Sequence, residues 1–140
     1  MANYAPYIAF ADDDADDQEM LADRILQRHP GVVFKFFKDG GEISRYLEDC
    51  PTAELPSLLI LDYKMPINTG ADILKALHND SRYNRMHKVV WSTSGNKEYV
   101  TQCLKYGAEK YFTKPDNVNG LDAIIDQLSR FFPGAPAGQE

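Results

Sequence analysis

The sequence predicts an α/β fold: a doubly wound (βα)5 domain whose five-stranded parallel sheet has the strand order 2-1-3-4-5. Three observations predict it. Leu58-Leu59-Ile60-Leu61 is a run of four apolar residues between Pro56 and Pro66, which reads as a strand buried on both faces in the middle of a parallel sheet. Four other short apolar runs, near Ile8, Val33, Val90 and Tyr111, alternate with segments of helical periodicity at intervals of 21 to 31 residues, the pattern of a βαβ series. Right-handed crossovers then leave few topologies, and the order 2-1-3-4-5 places its switch point between the first and third strands.

Taken in order, residues 7–11 form the first strand, which stops at Asp12-Asp13-Asp14 with Asp16 and Asp17 close behind. A helix through about His29 follows, with Met20, Leu21, Ile25 and Leu26 as its expected buried stripe. Acidic residues at its start suit the positive end of the helix dipole. Pro30-Gly31 breaks the chain before a second strand over 32–37. Asp39-Gly40-Gly41 leads into a helix with Ile43, Tyr46 and Leu47 inward. After the central strand, a loop with Asn68-Thr69-Gly70 opens a helix that buries Ile73, Leu74 and Leu77. Residues 78–87 read as a polar connection, and Val89-Val90-Trp91 as strand four, ending in Ser92-Thr93-Ser94-Gly95. The next helix is expected to bury Val100, Cys103 and Leu104 and to end at Gly107, a C-cap position. Tyr111-Phe112-Thr113 forms strand five, closed by Lys114-Pro115. The last helix keeps Leu121, Ile124, Ile125, Leu128 and Phe132 on one face. The domain therefore spans 7–132, with a lead over 1–6 and a loose tail over 133–140.

Composition narrows the function. With 140 residues the chain makes one domain, and 44% hydrophobic with 26% charged residues is ordinary for a globular protein. The net charge of −6 argues against general nucleic-acid binding and against docking on anionic membranes. No apolar run is long enough to span a bilayer, and the start has no signal-peptide pattern. Cys50 and Cys103 lack metal-ligand spacing and read as reduced, buried thiols of a cytoplasmic protein.

In open α/β sheets, chemistry sits beyond the carboxyl ends of the strands. Here those ends carry Asp12 and Asp13, Asp62, Ser92, and Lys114. Three carboxylates in one crevice repel unless a cation joins them, and hard oxygen donors suit Mg²⁺. Asp62 on the central strand is a candidate nucleophile, because aspartate forms acyl phosphates. Lys114 would hold a phosphoryl oxygen as a point charge and the Ser92 hydroxyl would donate to another. Each residue alone has an ordinary explanation: a solvated helix start, a turn serine, an exposed lysine. Order and location together carry the signal.

These residues resemble the receiver domains of two-component response regulators over nearly the whole chain. Phe10-Ala11-Asp12-Asp13-Asp14 is similar to the family's first strand and acidic pair. Leu61-Asp62-Tyr63-Lys64-Met65-Pro66 is similar to its phosphoacceptor strand. Ser92 stands thirty residues beyond Asp62, and Lys114-Pro115 twenty-two further on. The resemblance implies a flavodoxin-like fold and phosphorylation of Asp62 by a sensor histidine kinase or histidine phosphotransfer protein. It also implies that Asp13, Asp62 and the Lys64 carbonyl bind Mg²⁺ or Mn²⁺ directly, that Asp12 does so through water, and that the Lys114–Pro115 bond is cis. It further implies a switch in which Ser92 moves toward the phosphate and Tyr111 follows, remodelling the face of helix four, strand five and helix five for a downstream partner. Lys64, Thr93 and Ser94 fall where the family modulates hydrolytic water, and a cation at Lys64 is expected to lengthen the acyl phosphate's life. Serine in place of the commoner threonine at 92 loses one methyl.

A haloacid-dehalogenase-like phosphatase would want a second aspartate where Lys64 stands. A flavin carrier would have its phosphate repelled by Asp12-Asp13-Asp14. A phosphotransfer histidine is poorly served by His29, His78 and His87, all at helix ends or loops. The remaining alternative is a pseudo-receiver, the same fold binding proteins without phosphorylation. With no output segment after the domain, the signal is expected to leave by contact, as in small stand-alone receivers. Phe131 and Phe132 are expected either to finish the core or to form a homodimer surface.

Overall fold

A computed structural model describes residues 6–133; the expected lead and tail lie, over 1–5 and 134–140, outside the described residues. Five strands, β1 (Ile8–Ala11), β2 (Phe34–Phe37), β3 (Leu58–Leu61), β4 (His87–Ser92) and β5 (Lys110–Thr113), alternate with five helices, α1 (Ala15–Arg28), α2 (Gly40–Asp49), α3 (Gly70–His78), α4 (Lys97–Lys105) and α5 (Val118–Leu128). The sheet is parallel with the order β2-β1-β3-β4-β5, as the sequence predicts. β1 and β3 are wholly buried because helices cover both faces. Ala9, Leu59, Leu61 and Val90 pack on the side of α2 and α3, while Ile8, Phe10, Ile60 and Trp91 pack beneath α1 and α5.

Register positions the site. Ala11 pairs with Leu61, Leu61 with Val90, and Ser92 with Thr113. Asp12 and Asp62 therefore leave the sheet side by side, and Lys114 leaves beside Ser92. All five helices start on a side-chain cap: Asp14, Asp39, Thr69, Asn96 and Asn117 each accept a backbone N–H of the first turn, Thr69 in a capping box with Asp72. Gly107 adopts φ +95° just past α4, which fits the expected C-cap.

Several expectations are corrected. On α1, Met20 (41% exposed) and Leu26 (37%) lie off the buried stripe, which is Gln18, Leu21, Ala22 and Ile25. These four follow the i, i+3, i+4, i+7 pattern, whereas Met20 and Leu26 are each rotated by about 100° from a buried neighbour. On α4 only Cys103 is buried, with Leu104 turned outward. The connection over 78–87 is more than polar linker: it holds a 3₁₀ turn (Ser81–Tyr83) and buries Tyr83 and Met86. β2 is shorter and β4 longer than expected. No peptide bond among the described residues is cis, so the Lys114–Pro115 bond is trans. Trans is the ordinary preference of an X–Pro bond, by roughly 0.5–1 kcal/mol, and the Lys114 N–H bonds Ser92 O at 2.7 Å in that form. Phe132 is buried against His29 and Phe131 rests on His87, so Phe132 finishes the core. Both cysteines are free and buried, as expected.

Candidate functional site

The carboxyl edge of the sheet brings Asp12, Asp13 and Asp62 together, with one oxygen of each within 4.8 Å of the others. Asp12 is 1% exposed and Asp62 5%, while Asp13 faces solvent. Asp12 is firmly held. Its Oδ1 accepts from the Asp14 N–H at 2.9 Å, and its Oδ2 accepts from Trp91 Nε1 at 3.0 Å. Lys114 Nζ lies 3.0 Å from the same Oδ2, 3.9 Å from Asp62 Oδ1, and donates to Asp17 Oδ2 at 2.9 Å.

Electrostatics follow from that crowding. Burial, then the charge of Asp12, push the Asp62 carboxyl up to about 8; Lys114 opposes the shift, and contacts with Asp13 and Asp12 add to it. Burial pulls the Lys114 ammonium down, but bonds to Asp17 and Asp12 outweigh it, and its pKa ends above the usual lysine value. One ammonium among these carboxylates leaves a surplus of negative charge. Converging hard oxygens with surplus negative charge are the donor set a divalent cation takes, so the residues fit Mg²⁺ or Mn²⁺.

Ser92 is buried at the end of β4, and its Oγ accepts from the Ser94 N–H at 3.2 Å. Tyr111 on β5 donates its hydroxyl to Ser94 O at 2.5 Å. Beyond Asp62, Pro66 O accepts from Asn68 N in a γ-turn that holds Ile67 at φ 76°, a strained conformation for a β-branched residue. The turn is docked on α2 through Gly40 N to Pro66 O and Asn68 Nδ2 to Ser44 Oγ.

The arrangement sets three carboxylates around one ammonium at the sheet edge, and its parts come from four strand ends. Residues 8–126 match the sequence model of the response regulator receiver domain. The chain belongs to that family. Among curated relatives, it is 30% identical over 122 residues to the two-component response regulator ORR7 of Oryza sativa subsp. indica, covering 87% of this chain and 55% of that protein. It is 26% identical over 126 residues to ORR5 of Oryza sativa subsp. japonica, covering 90% of each. The chain thus spans just over half of the first relative and nearly all of the second. Among solved structures, the phosphorylated cyanobacterial phytochrome response regulator RcpA superposes with TM-score 0.80 at 23% identity, covering 95% of this chain and 98% of that one. The Mn²⁺-bound form of response regulator Rcp1 gives 0.77 at 21%, covering 91% and 94%. A receiver domain from Rhodospirillum rubrum gives 0.75 at 27%, covering 87% and 89%. This protein is a receiver domain of the two-component type.

The receiver fold brings Asp12, Asp13, Asp62, Ser92 and Lys114 together. Lys64, Thr93 and Ser94, expected from the resemblance to modulate hydrolysis, stand further out. Lys64 is exposed with its ammonium 5.8 Å from the Tyr99 ring centroid on α4, Thr93 is exposed, and Ser94 Oγ accepts from Asn96 N. Sequence reasoning missed four contributors. Asp17 was legible only as helix-start acid. Trp91 read as strand filler, although its indole N–H grips Asp12. Gln18 bonds the carbonyls of Phe10 and Phe37, locking α1 to two strands; a polar residue within an otherwise apolar i, i+3, i+4 stripe was its available signal. Tyr63 stacks on Tyr99 at 4.0 Å and donates to Gln102, a pairing with no local sequence signal.

Proposed function

We propose that Asp62 is the phosphoacceptor and takes its phosphoryl group from the phosphohistidine of a sensor histidine kinase or histidine phosphotransfer protein. The observation that carries this is the convergence of three carboxylates with the Lys114 ammonium 3.9 Å from Asp62 Oδ1. An Asp62 oxygen attacks phosphorus, a P–O bond forms, the P–N bond breaks, and the electron pair stays on the imidazole nitrogen. Asp13, Asp62 and the Lys64 carbonyl would hold Mg²⁺ or Mn²⁺, with Asp12 acting through water. When bound, the ion supplies charge neutralisation for the phosphoryl oxygens. Lys114 pairs with one oxygen and Ser92 donates to another. Phosphorylated RcpA and Mn²⁺-bound Rcp1, which share the fold, support this reading.

Water attack on phosphorus later returns the carboxylate and inorganic phosphate, a slow autodephosphorylation modulated by Lys64, Thr93 and Ser94. Ser92 and Tyr111 form the switch, and the face of α4, β5 and α5 meets the downstream protein. Tyr111 must release or carry its bond to Ser94 O for that switch to operate. The setting is the cytoplasm, where the kinase's phosphohistidine is presented; no helix among the described residues is long and apolar enough to cross a membrane. Homodimerisation through the exposed part of Phe131 belongs to the same reading.

Intact mass after incubation with acetyl phosphate and Mg²⁺ tests it. One phosphoryl group is expected on the wild type, and none on Asp62→Asn or in EDTA. An adduct that persists in Asp62→Asn would refute the assignment.

A further inference from the structure

Lys114 is held by two carboxylates before any phosphoryl group arrives. An ammonium has three donors. One points to Asp17 Oδ2 at 2.9 Å, Asp12 Oδ2 lies at 3.0 Å, and Asp62 Oδ1 stands at 3.9 Å, outside hydrogen-bond reach. The Lys114 side chain is 7% exposed, so it cannot satisfy itself in bulk water, while that of Asp17 is 29% exposed. Asp17 is no loose surface acid. It sits in the first turn of α1, where its own N–H bonds the Asp14 cap at 3.0 Å, and its carboxylate reaches Lys114 at the sheet edge. Its neighbour Asp16, equally close to the helix start, is exposed and takes no part in the lysine's ion pairs.

We propose that Asp17 is a positioning residue that holds Lys114 off the phosphoacceptor and sets how much the receiver gains when a phosphoryl group arrives. This rests on Asp62 being the phosphoacceptor. A phosphoryl group brings nearly two negative charges and three acceptors; to meet them the ammonium must move in from its 3.9 Å distance to Asp62 Oδ1, and the pull of Asp17 at 2.9 Å opposes that approach. A partly exposed ion pair is a weak tether, so the exchange lies near balance and a single carboxylate tunes it. The helix-dipole role of an acid in this turn would be served equally by Asp16, and would leave Lys114 where it is.

The test compares wild type with Asp17→Asn, Asp17→Glu and Asp16→Asn, using beryllofluoride in saturating Mg²⁺ as the phosphoryl probe. Trp91 is the only tryptophan, and Lys114 Nζ lies 5.6 Å from its ring centroid, so Trp91 emission follows the ammonium. Asp17→Asn is expected to shift that emission before any ligand is added and to bind beryllofluoride about threefold to fivefold tighter, the scale of one partly exposed ion pair. Asp16→Asn is expected to match wild type, and Asp17→Glu to restore it. In a Lys114→Ala background the Asp17→Asn gain is expected to vanish, since the effect runs through the lysine. Equal beryllofluoride affinities for Asp17→Asn and Asp16→Asn, or a gain that survives Lys114→Ala, would overturn the proposal while leaving Asp62 as phosphoacceptor. Failure of wild type itself to bind beryllofluoride with Mg²⁺ would overturn both.

Discussion

Asp62 must lose a proton before it can serve a metal, and the structure sets how strongly that requirement bears on Mg²⁺ affinity. Burial and the Asp12 charge raise its carboxyl to about 8. A ligand that needs the carboxylate then sees only the ionised fraction of the protein. That fraction is roughly 3% at about pH 6.5 and roughly three quarters at about pH 8.5, so the apparent Kd for Mg²⁺ should fall about 25-fold across the interval. An ordinary surface carboxylate, ionised throughout, would give no change. Trp91 Nε1, bonded to Asp12, offers an optical readout of the titration. Calorimetry in two buffers of different ionisation enthalpy counts the proton released, close to one per Mg²⁺ near neutrality. In Asp62→Asn the residual binding should be weak and nearly flat with pH. A wild-type Kd that moves less than about threefold, or binding with no proton release, would refute the reasoning.

The same group controls stability with the opposite sign from a paired surface acid. Its folded pKa is raised, so protonated Asp62 contributes stability below about pH 4 that is lost as pH rises toward about 8; metal-free Asp62→Asn should melt several degrees above wild type at the alkaline end and close to it at the acid end. Gly40→Ala places a Cβ 2.0 Å from Asn68 O, whereas one at Gly31 meets nothing within 4 Å, so thermal melts should show a large loss for the first and almost none for the second. Tyr99→Ala removes a stacked partner of Tyr63, a pair worth about 0.5–1.5 kcal/mol; denaturant titration should show a loss of that order, with hydrogen exchange rising in α4. Lys64→Ala should shorten the acyl-phosphate lifetime in a decay assay, and an unchanged decay would leave Lys64 as a cation resting on Tyr99.

The residues legible in advance were those whose role is fixed by chain direction. A buried run such as Leu58–Leu61 must end at the sheet's carboxyl edge, and the polar residue that follows it must emerge there. That logic places Asp12, Asp62, Ser92 and Lys114 without coordinates. Contacts across elements were not legible, because periodicity carries no information about which helix a ring will meet. Nothing near Tyr63 in the sequence points to Tyr99, and nothing near Lys114 points to Asp17. The α1 stripe was misjudged because Met20 and Leu26 are apolar but off-phase, while Gln18 is polar but in phase, with backbone carbonyls on β1 and β2 to satisfy it. The cis bond at Pro115 failed for another reason: it came from resemblance alone, with nothing in these residues to demand it.

If the proposed phosphorylation of Asp62 displaces a helix, the packing of α4 and α5 decides which one moves at lower cost. α5 buries Leu121, Ile124, Ile125 and Leu128, and Arg24 clamps its Asp122 through two bonds at 2.7 and 2.8 Å. α4 buries Cys103 alone. Since a buried aliphatic side chain contributes about 1.5–3 kcal/mol, displacing α5 forfeits several such terms and displacing α4 very few. What holds α4 is polar and aromatic, and it converges on the site: Tyr63, the residue after Asp62, stacks on Tyr99 and bonds Gln102, while Tyr111 bonds Ser94 O in the loop that Ser92 begins. Local openings cost what they unbury. α4 is therefore the cheapest helix to shift, and its main restraints are the residues that a phosphoryl group on Asp62 and a displaced Ser92 would disturb. A small difference in ligand affinity between two placements of α4 is enough to change their populations. Weak apolar anchorage joined to tethers at the site makes this helix, rather than α5, the one that the proposed phosphorylation of Asp62 would displace at least cost.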